Sequence, residues 1–241
     1  MVSARLHALH PTAVGAALRA GGGPGGTVTL YLVRHGETEA NRDGLGLGRG
    51  DSPLTTVGVR QAEALALALS GLPVAAVWSS PLRRARHTAE AIARTVGAEV
   101  EVVEALAELD VGETEGLPYA EIRRRWPTFI AAWLGPNPAA VRMPGGESLE
   151  DLATRIRPLL PRIRELEPSG LAIVSHTFVI RVLACLLLDL PVAAFRSFAC
   201  DLASVAVLDL APRPVVRRWN DTCHLRRLEP GDAPAYGGEP R

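Results

Sequence analysis

No run of roughly 18 uninterrupted apolar residues occurs in this 241-residue chain, so nothing in it reads as a membrane-spanning helix. Cysteine is scarce: Cys185, Cys200 and Cys223 are odd in number, far apart and without C-x-x-C spacing. That pattern suits neither a disulfide framework nor a zinc site, and points to a reducing, cytoplasmic setting. Net charge is also missing. Lysine plus arginine and aspartate plus glutamate both total 26, so no overall field favours nucleic acid or an anionic membrane, and any phosphate binding has to be local. There is no internal repeat and no heptad pattern. The first 26 residues, ending in "GGGPGG", lack a compact apolar stretch before a cleavage-like site and read as a flexible leader, not a signal peptide. Residues 229–241, rich in Pro and Gly, read as a flexible tail.

Between those ends, apolar runs of strand length alternate with amphipathic stretches of helix length. This is the pattern of an α/β fold: a single domain over residues 27–228, with a mostly parallel mixed sheet and helices on both faces. "VTLYLV", "VAAVWSS", "EVEVVEAL" and "LAIVSH" are the expected strands one to four, and "LASVAVLDL" and "VVRRWND" a closing hairpin. A helix is expected after Thr55 or Thr56 as cap, stopping at Gly71, and another from Pro81 at an early helical position to Gly97. Pro158 and Pro161 should kink or divide the helix of "ESLEDLATRIRPLLPRIREL", and "TFVIRVLACLLLDL" is apolar almost all round, hence buried. Residues of about 106–144, broken by prolines, read as an insert or lid.

Ligands of open α/β sheets gather at the carboxyl ends of strands. Strand one ends in Arg34 and His35, strand two in Ser79 and Ser80 ahead of Arg83 and Arg84, strand three runs toward Glu108, and strand four ends in Ser175 and His176. Arginine presents a permanently charged fork that matches a phosphoryl group, and its presence beside a histidine disfavours the imidazolium. A neutral His35 could attack phosphorus while the guanidiniums balance charge on its oxygens, and Glu108 could protonate the leaving oxygen. No metal or other cofactor is needed, because the arginines supply the charge.

Each residue taken singly also has a plain structural reading. Arg83, Arg84 and Arg86 suit a solvated helix face, His87 the surface, His176 the core, and Glu113 and Glu115 an exposed loop. The "GLGLGRG" run lies too far past its strand for a dinucleotide turn. The functional reading rests on the joint placement of these groups at successive strand ends.

With "LVRHGETEAN" followed in order by "GRGDSPLTTVGVRQA", "SSPLRRARHTA", "AELDVGETEG", "PGGESLEDL" and "IVSH", the chain resembles the histidine phosphatase superfamily, the phosphoglycerate mutase-like proteins, over about residues 28–209. The resemblance implies that His35 is the phosphorylated histidine, that Arg34, Arg84 and His176 hold phosphoryl oxygens, and that Glu108 is the proton donor. Asn41, Thr177 and Gly48 are implied as further phosphate contacts. Three positions depart from the pattern: Leu47 where Gln precedes the glycine in many phosphatases, Ala40 for an aromatic residue, and Thr177 where glycine is usual. Arg49 is a candidate substitute for the missing glutamine.

The loop "GETEGLPYAEI" is short and acidic and resembles the phosphatase branch. The expected activity is therefore metal-independent hydrolysis of a small phosphorylated metabolite. The alternatives are a cofactor-dependent phosphoglycerate mutase and a catalytically silent binder of phosphorylated ligands. Trp126, Phe129, Trp133 and Met143 are candidates for apolar pocket lining or for packing of the insert.

Overall fold

The computed structural model describes residues 28–166 and 170–228; the expected leader and tail fall outside them. The strands and helices follow in the order β1 (Thr29–Arg34), α1 (Glu39–Arg42), α2 (Thr56–Leu69), β2 (Val74–Ser79), α3 (Arg83–Val96), β3 (Val100–Val102), α4 (Tyr119–Arg125), α5 (Pro127–Trp133), α6 (Leu149–Ile156), α7 (Leu159–Arg164), β4 (Gly170–Ser175), α8 (Thr177–Leu187), β5 (Val205–Asp209) and β6 (Val215–Asp221). Short 3-10 turns join several of them.

The six strands form one mixed sheet in the order β3-β2-β4-β1-β5-β6. β1, β4, β2 and β3 run parallel, β5 is antiparallel to β1, and β5 and β6 make the expected hairpin. Alternation along β1 assigns its faces. Leu30 and Leu32 join a core with α6, α7 and α8, whereas Tyr31 and Val33 join one with α2 and α3. Helices therefore cover both faces, and each fully buried leucine in these cores contributes on the order of 1.5–3 kcal/mol. Helix α8 is apolar almost all round because it lies between the sheet and α6: Val179, Val182 and Leu183 are wholly buried.

The local signals act largely as the sequence suggests. Thr55 caps α2 by accepting from the Gly58 N–H, and Gly97 ends α3 in the left-handed conformation. Pro158 separates α6 from α7, while Pro161 sits in the first turn of α7, where its missing N–H leaves no intrahelical bond unmade. Two expectations need correction. Pro81 lies two residues ahead of α3, which has Leu82 as its N-cap; the Arg83 N–H instead donates to Asp51, a cap delivered from a distant loop. Strand three is shorter than "EVEVVEAL", because a 3-10 turn at Glu104–Leu106 breaks it and leaves Glu108 well beyond its end.

The insert contains two short helices, α4 and α5, which meet at Trp126 and Pro127. Its aromatics pack. Phe129 stacks on Trp133, and Trp133 meets Phe178 of α8 and Phe195 with ring centroids 5.9 and 5.7 Å apart. Met143 is buried in the same core.

Candidate active site

Strands β1 and β4 are hydrogen-bonded neighbours, so their ends present Arg34-His35 and Ser175-His176 side by side. The His35 N–H donates to the Ser175 carbonyl, and the rings of His35 and His176 lie 5.0 Å apart. The turn after His35 is tight. A side chain on Gly36 would strike the Gly58 backbone, and one on Gly58 would strike Glu37, so two glycines let α2 approach the end of β1. The Gly36 N–H donates to Thr88 Oγ1, and the Glu37 N–H to Gln61 Oε1.

His35 is buried, and its Nδ1 lies 2.7 Å from the Gly36 carbonyl oxygen. A carbonyl only accepts, so Nδ1 carries the proton and the Nε2 lone pair is left for chemistry. Burial, and then the charges of Arg84 and Arg34, hold its pKa well below the ordinary histidine value, so the ring is neutral.

His176 has the opposite tautomer. Arg84 Nε donates to its Nδ1 at 3.2 Å, so Nε2 carries the hydrogen and donates to Ser80 Oγ at 2.7 Å. Burial and the same cations keep it neutral. Both ring nitrogens are thus engaged within the protein, and the residue orients Arg84.

Arg84 is fully buried, whereas its helical neighbours Arg83, Arg86 and His87 are exposed, as a solvated face requires. Its Nη1 and Nη2 donate to the carbonyls of Gly50 and Gly48 at 2.7 and 2.6 Å, which leaves two of its five N–H groups for a ligand. Burial lowers its pKa to about 10, so it remains a cation at neutral pH. Arg34 donates from Nη1 to the Cys200 carbonyl, while its buried Nε has no hydrogen-bond partner. A buried unmatched donor costs about 1–3 kcal/mol, a cost that a bound anion would remove. The chain contains no lysine, so arginine forks alone meet anionic charge.

Glu108 is buried, accepts from the Leu109 N–H at 2.9 Å, and accepts from the Phe178 N–H in the first turn of α8 at 3.3 Å. Burial pushes its pKa up, against the pull of those two N–H groups and of Arg84 and Arg34. Thr177, the first residue of α8, is buried beside it.

The remaining expected contacts fall differently. Asn41 gives its side-chain oxygen to Thr38 in the cap of α1, which leaves the amide NH2 as its donor toward a ligand. Gly48 has no free backbone group: its N–H donates to Glu115 and its carbonyl accepts from Arg84. Its carbonyl thereby holds the Arg84 guanidinium. Glu115, expected as an exposed acid, accepts from both the Gly48 and Arg49 N–H groups and fixes that loop. Arg49 points to Glu147 at 2.8 Å.

The region between residues 30 and 222 matches the model of the histidine phosphatase superfamily (branch 1). The chain belongs to that superfamily. A histidine phosphatase relative named phosphoserine phosphatase 1, from Hydrogenobacter thermophilus, is 36% identical over 200 residues, covering 82% of this chain and 94% of its own. A Proteus mirabilis relative that carries the name of a phosphoglycerate mutase is 34% identical over 203 residues, covering 81% and 94%. Among solved structures, the alpha-ribazole phosphatase of Shigella flexneri superposes with a TM-score of 0.72 at 28% identity, covering 80% and 96%. The protein is thus a phosphomonoester hydrolase of the histidine phosphatase type, with the fold of the phosphoglycerate mutase-like enzymes.

From the sequence His224, in "NDTCHL", reads as a structural or rim residue, and the structure gives it a structural place. Its buried ring donates from Nε2 to the Ala203 carbonyl at 2.9 Å, and the Ala203 N–H donates to the His35 carbonyl. His224 thereby supports the backbone at His35, and burial lowers its pKa to about 4. A histidine whose folded pKa lies below its unfolded value of about 6.5 stabilises the fold above pH 6.5 and loses that contribution as pH falls through 4. Stability from denaturant melts should drop over this window, with His224 accounting for on the order of 3 kcal/mol. His224→Gln should flatten the dependence, with the remaining slope set by His35 and His176 and opposed by Glu108, whose raised pKa acts with the opposite sign. An unchanged slope in this variant would show that His224 takes up its proton without unfolding.

Proposed function

We propose that the enzyme hydrolyses a small phosphorylated metabolite through a phosphohistidine on His35. The observation that carries this reading is the tautomer of His35: the bond from Nδ1 to the Gly36 carbonyl leaves an unprotonated Nε2 in a pocket with two arginines. In the first half-reaction Nε2 attacks phosphorus in line as the P–O ester bond breaks. Arg84 offers its two uncommitted N–H groups, and Arg34 its unmatched Nε–H, to the equatorial oxygens, with Asn41 as a further donor. Protonated Glu108 delivers its proton to the departing alcohol. In the second half-reaction carboxylate Glu108 takes a proton from water as the water attacks phosphorus, and the N–P bond breaks to free inorganic phosphate and the neutral imidazole. His176, with both nitrogens occupied, keeps the Arg84 fork aimed. The arginines supply the positive charge that a metal would otherwise bring, and a dication beside them would be repelled.

Transfer of the phosphoryl group to a second hydroxyl of the substrate, a mutase reaction, uses the same first step. The short acidic loop around Glu113 and Glu115 favours water as the acceptor. Incubation with 3-phosphoglycerate, phosphoserine and p-nitrophenyl phosphate separates the two. The expected outcome is release of inorganic phosphate from at least one ester without isomerisation; interconversion of 2- and 3-phosphoglycerate outpacing release would reverse the assignment.

A further inference from the structure

The segment that carries Glu108 leaves the sheet after β3 and has no strand partner, yet a proton donor must be held within a few tenths of an ångström to be useful. Its carbonyls are caught by side chains. Ser175 Oγ donates to the Leu106 carbonyl at 2.8 Å. Arg155, from α6, takes the others: Nη1 donates to the Ala105 and Ala107 carbonyls at 2.7 and 2.9 Å, and Nη2 to the Glu108 carbonyl at 3.3 Å.

The guanidinium is itself oriented by Glu147, whose Oε1 accepts from Arg155 Nε at 3.2 Å and whose Oε2 accepts from Nη2 at 3.0 Å. Glu147 also accepts the Asp110 N–H at 3.0 Å and the Arg49 guanidinium at 2.8 Å, so it grips the chain on the far side of Glu108. Burial opposes ionisation of Glu147, but the bonds from Arg155 and the Asp110 N–H prevail and keep its pKa below the usual range.

We infer that Arg155, with Glu147 behind it, is the positioning residue that sets the Glu108 carboxyl for proton transfer. A planar fork is required, because no single ammonium reaches three carbonyls in different directions while binding a carboxylate. The Arg49 arm extends the same network to the Gly48–Gly50 loop, whose carbonyls hold Arg84. The phosphate clamp and the proton donor thus share one frame. Arg155 also lines a cavity of about 480 Å³ with Arg49, Pro81, Leu82, Glu104, Ala105 and Ala107, so a differently shaped side chain fits without displacing the core.

The inference rests on Glu108 being the general acid, and leaving-group dependence tests both separately. p-Nitrophenolate departs without a proton, whereas the alkoxide of glycerol 2-phosphate needs one. Arg155→Met should lower kcat/KM, which reports the first half-reaction alone, about 10²-fold on glycerol 2-phosphate and leave it within a few-fold on p-nitrophenyl phosphate. Arg155→Lys should recover part of the loss, and Glu147→Gln should show the same selectivity at smaller size, which also serves if the methionine variant fails to fold. Equal losses on both esters, or none, across the variants that fold would overturn the role of Arg155. Glu108→Gln is the control: selectivity there without selectivity in the Arg155 and Glu147 variants sinks the positioning role alone, and its absence there sinks both.

Discussion

His35→Ala should lower kcat at least about 10⁴-fold on every phosphomonoester the enzyme accepts, the scale seen when a covalent nucleophile is removed. Nothing else in the pocket can replace it. His176, the nearest imidazole, has Nδ1 occupied by Arg84 and Nε2 by Ser80, and it faces the same cations without a free lone pair. The arginines survive the substitution, so inorganic phosphate should still inhibit or protect against unfolding at concentrations close to wild type. Binding and chemistry then separate: kcat collapses while phosphate affinity moves by only a few-fold. A rapid quench with labelled substrate adds the covalent readout, since wild type should hold acid-labile, alkali-stable label and the alanine variant none. Full turnover in His35→Ala would remove the phosphohistidine from the mechanism.

How much of this was legible in the sequence follows from how far apart the interacting residues lie. The strand ends at Arg34-His35 and Ser175-His176 could be read because strand composition and the glycines and prolines around them are local signals, and the same holds for the Thr55 cap and the Gly97 stop. Placement of Arg84 in the core while Arg83 and Arg86 face solvent was not readable from the helix itself. It depends on the loop carbonyls of Gly48 and Gly50, more than thirty residues earlier in the chain. Arg155 and Glu147 escaped for the same reason: Glu147 lies ahead of α6, eight residues from Arg155 and outside helical pair spacing, and only the fold brings the two together with the Ala105–Glu108 carbonyls. For Gly48 too the partners are distant in the chain: Glu115 takes its N–H and Arg84 its carbonyl. Tautomers were invisible too, since which histidine nitrogen is free is decided by the carbonyl of Gly36 in one case and by the guanidinium of Arg84 in the other.

Glu108→Gln is the second change with a large expected effect, and its size depends on both pH and substrate. On glycerol 2-phosphate the loss in kcat/KM should be about 10²–10⁴-fold, the usual span for a positioned acid, and on p-nitrophenyl phosphate much smaller. Wild-type activity on the alkyl ester needs His35 neutral and Glu108 protonated. Activity should therefore rise as pH climbs through the His35 pKa, which burial and two arginines hold well below 6.5, and fall as pH climbs through the Glu108 pKa, which burial raises above 4.5. The profile is then a bell whose acid limb is set by His35 and whose alkaline limb is set by Glu108. A glutamine cannot ionise, so the alkaline limb should vanish in Glu108→Gln while the acid limb stays where His35 sets it. With p-nitrophenyl phosphate the alkaline limb should be shallow even in wild type, because the first half-reaction no longer needs the proton. An alkaline limb that persists unchanged in Glu108→Gln on the alkyl ester would assign it to another group. The site would then keep its nucleophile and its arginine clamp and lose its acid.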